Sequence, residues 1–411
     1  MDVDEEPIPA KIEDKVEASK ADEEEDDGVD MMAVAQQIHR LHTPTVGLDE
    51  EVKDALSKTI LEELGNPSLY KLAFGEDLLS DDISNKLSEL EGANKVKGEK
   101  LQESIENATK NAGDMEILDA SMAYAKFAFS SLSKDEAMKA FEDVSALPKL
   151  SSGKKIDTLM QRARVASFYN DTKIANKLTA EATAMANDWD RRNRLKVYDA
   201  MGKILTRDVK GAAALLVDCI ATFSCTEFCT FSEFVLYAIV SNILYLPRVG
   251  LKAKIIEGAE IISCAKSGEI PEAWKLVNSL YDCDYKSYLN ALCELQPVLM
   301  ADRFFRPHCG YVMRELLILA YKQFLDSYKS VTLESMALSF GIGVDFLDLQ
   351  LSRFISVGRL TAKIDKCCGG EGAGIVETTR PDLKNAQYQD MISKGDALLG
   401  RIQKLARVVD L

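Results

Sequence analysis

Between Asp114 and about Lys266, apolar residues fall at helical spacing and are interrupted by short polar turns. The turns recur. Helix starts are read at Ser133-Lys-Asp-Glu-Ala137, Asp171-Thr-Lys-Ile-Ala175 and Asp208-Val-Lys-Gly-Ala212, with the three alanines 38 and 37 residues apart. Small residues at these openings let neighbouring helices approach closely. One helix pair cannot bury its apolar face alone, so successive pairs are expected to stack into a curved solenoid. A further pair is predicted over Phe231–Leu246 and Leu251–Cys264, with Pro247 closing the first helix. Trp274–Leu299 and His308–Tyr328 read as the last helices of the series, separated at Arg306-Pro307.

The pattern changes at Val331. Lys329-Ser330-Val331 reads as a short strand and Thr332 as the cap of a helix over Leu333–Phe340. Gly341 and Gly343 are expected to supply positive φ in the turn. Val344–Val357 makes a second helix with Val344, Leu347, Leu351, Phe354 and Ile355 on one face, and Gly358 ends it. Leu360–Ile364 alternates like a strand, and Gly374–Thr378 is its predicted antiparallel return, with Cys367–Gly372 at the tip. This is a winged helix-turn-helix. Its hairpin, with Leu360, Ala362 and Ile364, offers an unpaired edge that can add to a neighbour's sheet.

Two long helices flank these parts. Asp82 to about Asn111 is an amphipathic, highly charged segment with Ile83, Leu87, Leu90, Leu101, Ile105 and Ala108 as its apolar positions, and reads as a strut. Asp382–Leu411 carries Tyr388, Met391, Leu398, Ile402, Leu405 and Val409; with Gly395 included, every gap is three or four. That is a coiled-coil seam, read as meeting partner helices rather than folding back. The expected fold is an all-α solenoid of tetratricopeptide (TPR)-like helical repeats, followed by a winged-helix module and a long C-terminal helix. The boundaries fall at 1–45 (acidic disordered tail), 46–112 (N-terminal helical segment), 113–300 (repeats), 301–380 (winged helix) and 381–411 (assembly helix).

Charge then narrows the function. The net charge is −16, but residues 1–30 hold fourteen acids and three lysines, so the tail alone carries −11. It reads as a solvated tail or as an electrostatic arm for a basic partner. Val331–Ile364 balances Glu334, Asp345 and Asp348 against Arg353, Arg359 and Lys363. A helix carrying Asp345 and Asp348 against Arg353 alone repels phosphates, so protein contact is expected and nucleic acid is not. Phe234–Leu246 is too short and too interrupted to span a bilayer. Nine scattered cysteines without an export signal point to reduced thiols in cytosol or nucleus.

Candidate chemistry does not assemble. Gly369–Gly374 lacks the Gly-Lys-Ser/Thr ending of a phosphate loop and opens no helix. Cys219, Cys225 and Cys229 lack zinc-ligand spacing, and Cys367-Cys368 has no matching pair. His39 and His42 sit beside the tail, and His308-Cys309 has no evident orienting acid. No catalytic residue, cofactor or metal site is expected. The three arginines of Trp189-Asp190-Arg191-Arg192-Asn193-Arg194 crowd a helix start that Asp190 can cap, and they need acidic partners on a neighbouring repeat or on a docking surface.

Helical repeats running into an uncharged winged helix resemble the PCI family, shared by the proteasome lid, the COP9 signalosome and eukaryotic initiation factor three. The strings Asp188–Tyr198, Thr206–Asp208, Ala212-Ala213, Ser330–Arg359, Lys363–Lys366, Val376–Pro381 and Leu405–Leu411 are similar, in particular, to the non-ATPase subunit-seven family of the 26S proteasome lid. The resemblance spans about Asn66 to the C-terminus and departs at the acidic tail and the glycine-rich wing tip. It implies a non-catalytic scaffold in a hetero-oligomer of cytoplasm and nucleus. Its expected partners are other PCI lid subunits, the lid deubiquitinase module and the ATPase base. The winged helix would pair edge to edge, and the last helix would join a helical bundle. A signalosome paralogue and a translation-factor subunit are the alternatives.

Overall fold

The computed structural model describes residues 30–43, 50–75, 81–111, 113–148, 150–366, 374–379 and 383–409. The expected wing tip and nearly all of the acidic run lie outside these residues.

The first helix among the described residues, α1 (Met31–Leu41), corrects the expectation of a tail reaching residue 45. Asp30 caps it by accepting from the Met32 amide at 2.9 Å, and it buries Met31, Met32, Val34, Ala35 and Ile38. Helices α2 (Glu50–Lys58), α3 (Pro67–Phe74) and the strut α4 (Asp81–Asn111) follow. Asn94, buried in the strut, donates to the carbonyls of Gly65 and Ser131, which fixes α4 against its neighbours.

Three helix pairs then stack: α5 (Asp114–Ser131) with α6 (Lys134–Ser145), α7 (Ser152–Phe168) with α8 (Thr172–Met185), and α9 (Trp189–Leu205) with α10 (Val209–Cys219). The second helices begin where the recurring turns place them, and Ala137, Ala175 and Ala212 are buried. Asn170 and Arg207 hold the left-handed φ that closes the first helix of their pair, at 63° and 68°. The next residue, Asp171 or Asp208, returns its amide to the carbonyl five residues back, of Ala166 at 2.8 Å or Lys203 at 2.9 Å.

Two of the three crowded arginines find intramolecular acids, and Arg192 is exposed. Arg191 grips Asp157 of the preceding pair through two bonds, of 2.8 and 2.9 Å, and also Asp188, which, rather than Asp190, holds the N-cap position, its carboxylate turned to Arg191 instead of to a helix amide. Arg194 and the Tyr198 hydroxyl share the Glu227 carboxylate at 2.7 and 2.9 Å.

Beyond α11 (Phe231–Tyr245), two expected helices are broken. Leu251–Cys264 divides into α12 (Arg248–Leu251), a wider helical turn over Lys252–Ile256, and α13 (Ala259–Ser267), with extended Gly258 at the break. Trp274–Leu299 divides into α14 (Pro271–Asp282) and α15 (Tyr285–Ala301), because Cys283 adopts the left-handed φ of 62° and Asp284 caps the next helix. This is the turn geometry of Asn170 and Arg207 again. Helix α16 (Cys309–Leu325) ends the series.

Asp302 is the polar centre of the bend before α16. Its fully buried carboxylate accepts from the Tyr237 hydroxyl (2.6 Å), from Gln36 of α1 (3.0 Å) and from the Phe304 and Phe305 amides (3.0 and 2.7 Å). Burial pushes its pKa up, and the bonds from Tyr237, Phe305 and Gln36 offset part of that rise. The Arg303 amide returns a bond to Gln36 at 3.1 Å, while its guanidinium caps the end of α7 at the Ser167 and Phe168 carbonyls. Helix α1 is thus clamped to a turn 266 residues further along.

Candidate assembly interface

The winged helix is built from β1 (Ser330–Thr332), α17 (Leu333–Phe340), α18 (Val344–Ser356), β2 (Ala362–Asp365) and β3 (Ile375–Thr378). Thr332 caps α17 by accepting from the Ser335 amide, and Gly341 ends it at φ 68°. Gly343 departs from the expectation: its φ is −69°, ordinary extended backbone that opens α18. The sheet order is β1-β3-β2, all antiparallel, so β3 is central and both β1 and β2 are edges.

The module is fixed to the repeats through aromatic packing on Phe340, which is 1 % exposed. Tyr285 of α15 stacks on it at 4.8 Å between ring centroids; Tyr321 and Phe324 of α16 meet it edge-on at 5.0 and 5.5 Å. Such a joint resists hinging, because aromatic contact adds to the apolar burial of each ring.

Three predicted interface residues turn out to be internal. Leu360 and Ala362 are buried, and Ile364 is half-buried against the same core. Their side chains face inward because alternation puts them on the face shared with Val376. What β2 offers a neighbour is its main-chain edge, not these side chains. Helix α18 buries Leu347, Leu351 and Phe354 and exposes Phe346, Leu349, Arg353 and, just beyond its end, Val357. Asp348 is held by Lys366 at 2.7 Å. Apolar residues in that position suit a protein surface, and the sequence reading, which followed only charge, missed them.

Helix α19 (Leu383–Val409) is the most exposed element. Tyr388, Met391, Leu398, Ile402, Leu405 and Val409 are between 56 and 76 % exposed. Ile392, Leu399 and Val408 are exposed beside them and were not in the predicted seam. They widen the two-position seam to a broad stripe. A narrow seam suits one partner helix, whereas a broad stripe suits burial among several. The signal was present as the adjacent apolar pairs 391–392, 398–399 and 408–409.

The other candidates stay apart. Cys219, Cys225 and Cys229 are buried free thiols; burial pushes Cys219 up to about 11 and Cys225 higher still. Among the described residues, no group of His, Cys, Asp or Glu is arranged to hold a metal ion. His308 bonds through Nε2 to the Leu205 carbonyl at 2.9 Å, which ties α16 to the third pair. His39 and His42 belong to the α1 clamp and its exit, not to a tail. Cys367-Cys368 and the loop before Gly374 lie outside the described residues.

Comparison with known proteins matches three stretches of the chain. Residues 84–254 match the model of 26S proteasome subunit RPN7, 286–377 match the PCI domain, and 387–409 match the RPN7/PSMD6 C-terminal helix of the 26S proteasome regulatory subunit. The 26S proteasome non-ATPase regulatory subunit 6 homolog of Arabidopsis thaliana is 37 % identical over 386 residues, covering 92 % of this chain and 97 % of that one. The rice (Oryza sativa) 26S proteasome non-ATPase regulatory subunit 6 is 39 % identical over 347 residues, covering 84 % and 87 %. COP9 signalosome complex subunit 1 of Arabidopsis thaliana aligns over 149 residues at 26 % identity, 36 % of this chain and 32 % of that one. With its repeats, winged helix and terminal helix each matched, the chain belongs to the RPN7 family of 26S proteasome regulatory subunits.

Proposed function

We propose that the chain is a non-catalytic scaffold subunit of the proteasome lid that supports ubiquitin-dependent degradation in cytoplasm and nucleus. The observation that carries this reading is α19: a 27-residue helix with an apolar stripe and an exposed surface along its described length. An isolated helix of that kind is marginal in water and gains its stability by packing. In a family of regulatory subunits, its occupant is a bundle of partner C-terminal helices. The free edge of β2 pairs with the sheet of a neighbouring PCI subunit, and the repeats reach outward to the deubiquitinase module and the ATPase base. The signalosome reading is weaker, since that likeness covers about a third of the chain.

Affinity purification of the tagged chain from its own cells, with mass spectrometry, tests the assignment. Lid, base and core proteasome subunits are expected; signalosome or initiation-factor subunits in their place would overturn it. Changing Leu398, Ile402 and Leu405 together to Asp is expected to abolish incorporation while the repeats keep their circular dichroism. Normal incorporation of that variant would remove the bundle from the reading.

A further inference from the structure

Seven-residue periodicity sorts α19 into rows. Tyr388, Ile402 and Val409 share one row with Gly395, and Met391, Leu398 and Leu405 form the row beside it. Ile392, Leu399 and Ala406 flank these rows on one side and are apolar. Lys394 and Arg401 flank them on the other and are basic. Lys394 is taken by Asp390 at 2.6 Å, whereas Arg401 is exposed and, among the described residues, forms no ion pair.

Gly395 interrupts the first row at the middle of the stripe. Nothing within the chain calls for a glycine there: its φ is not positive, and a Cβ would meet no atom within 4 Å. Glycine weakens a helix interior, and this one also removes an apolar side chain from the seam. What it leaves is a notch framed by Met391, Ile392, Leu398 and Leu399, the neighbours three and four residues away, each more than half exposed. A frame of four side chains around an empty position is the hole into which a facing helix inserts a knob.

The flanks argue against a second copy of this chain as the occupant. In an antiparallel pair the basic flank would meet the partner's basic flank, and in a parallel pair it would meet the apolar one. Neither arrangement answers Arg401. We propose that α19 is read by an amphipathic helix of another subunit, which seats one bulky apolar side chain in the Gly395 notch and sets a carboxylate against Arg401, about 9 Å further along the axis. The inference rests on the bundle reading above and adds its register: a uniform apolar stripe lets a partner slide, whereas one notch and one charge fix it.

Competition decides it. Each full-length variant is co-expressed with the native chain, and the ratio of the two in purified particles is read by mass spectrometry. Leucine at 395 completes the apolar row and favours the helix, so a plain seam would accept Gly395→Leu at an equal or higher ratio than the native chain. A filled notch rejects it, and the ratio is expected to fall at least about tenfold, about 1.4 kcal/mol. Arg401→Glu is expected to fall about threefold, and Arg401→Lys to stay near the native ratio. Circular dichroism of the lone variants checks that the helices are kept. An equal or higher ratio for Gly395→Leu, or an unchanged ratio for Arg401→Glu, would overturn the proposal. If Gly395→Leu enters freely while the Asp variant of Leu398, Ile402 and Leu405 is excluded, the register is wrong and the bundle stands; if the Asp variant enters as well, the bundle reading itself has failed.

Discussion

At the scale of single residues, the joint and the clamp make separate demands. Phe340 fills the space among Tyr285, Tyr321 and Phe324, so Phe340→Ala removes a buried ring and leaves a cavity. A loss of about 3–5 kcal/mol is expected in urea unfolding; a loss below about 1 kcal/mol would show that other contacts fix the winged helix. His39 accepts from Arg306 at 3.5 Å and is driven down from 6.5 to about 4, first by burial and then by the charge of Arg306. The folded chain therefore holds His39 neutral, while the unfolded chain takes up a proton below 6.5. The stability this confers is complete above pH 6.5 and is withdrawn as pH falls toward 4. Unfolding at pH 7 and pH 5 is expected to show a smaller difference for His39→Gln than for the native chain. An identical pH slope would mean that His39 is not read by folding.

At the scale of elements, α1 separates two truncations that look alike in sequence. Removing residues 1–29 deletes charge with no described packing, and surface ion pairs contribute little, so the melting temperature is expected to move by no more than about 2 °C. Removing residues 1–43 also strips Met31, Met32, Val34, Ala35 and Ile38 from the core and takes Gln36 from Asp302. Roughly 5 kcal/mol of burial goes with it, and thermal scans of the two truncations would show the gap. The helix was legible: Asp30 precedes apolar positions 31, 34, 35 and 38, a capped helical pattern that the neighbouring acids masked. The repeats were read well because their turns carry Asp or Ser caps before a buried alanine. The break at Cys283 was not, since a cysteine in left-handed backbone gives no turn signal and only the cap Asp284 marks it. The β2 residues were misassigned for another reason: a strand edge and a strand face are chosen by the main chain and the pleat respectively, and alternation alone does not say which side meets a partner.

At the scale of the molecule, the solenoid and winged helix form a continuous apolar core, while α19 contributes no buried residue among those described. Limited proteolysis of the lone chain is expected to cut first after Thr378 and within α19, and the same sites are expected to be protected in the assembled particle. Equal cleavage in both states would leave α19 without a partner. The clamp has a consequence in time as well as in space. Gln36 is made early, and the turn that holds it, Asp302-Arg303, lies 266 residues later. At ribosomal rates of about 5–20 residues per second, α1 waits roughly 13–50 s for its seat. Its contacts with α2 and α7 can form earlier, but the polar seat of Gln36 stays empty for that interval, so the first helix of the described residues completes its docking only when the bend at Asp302 emerges.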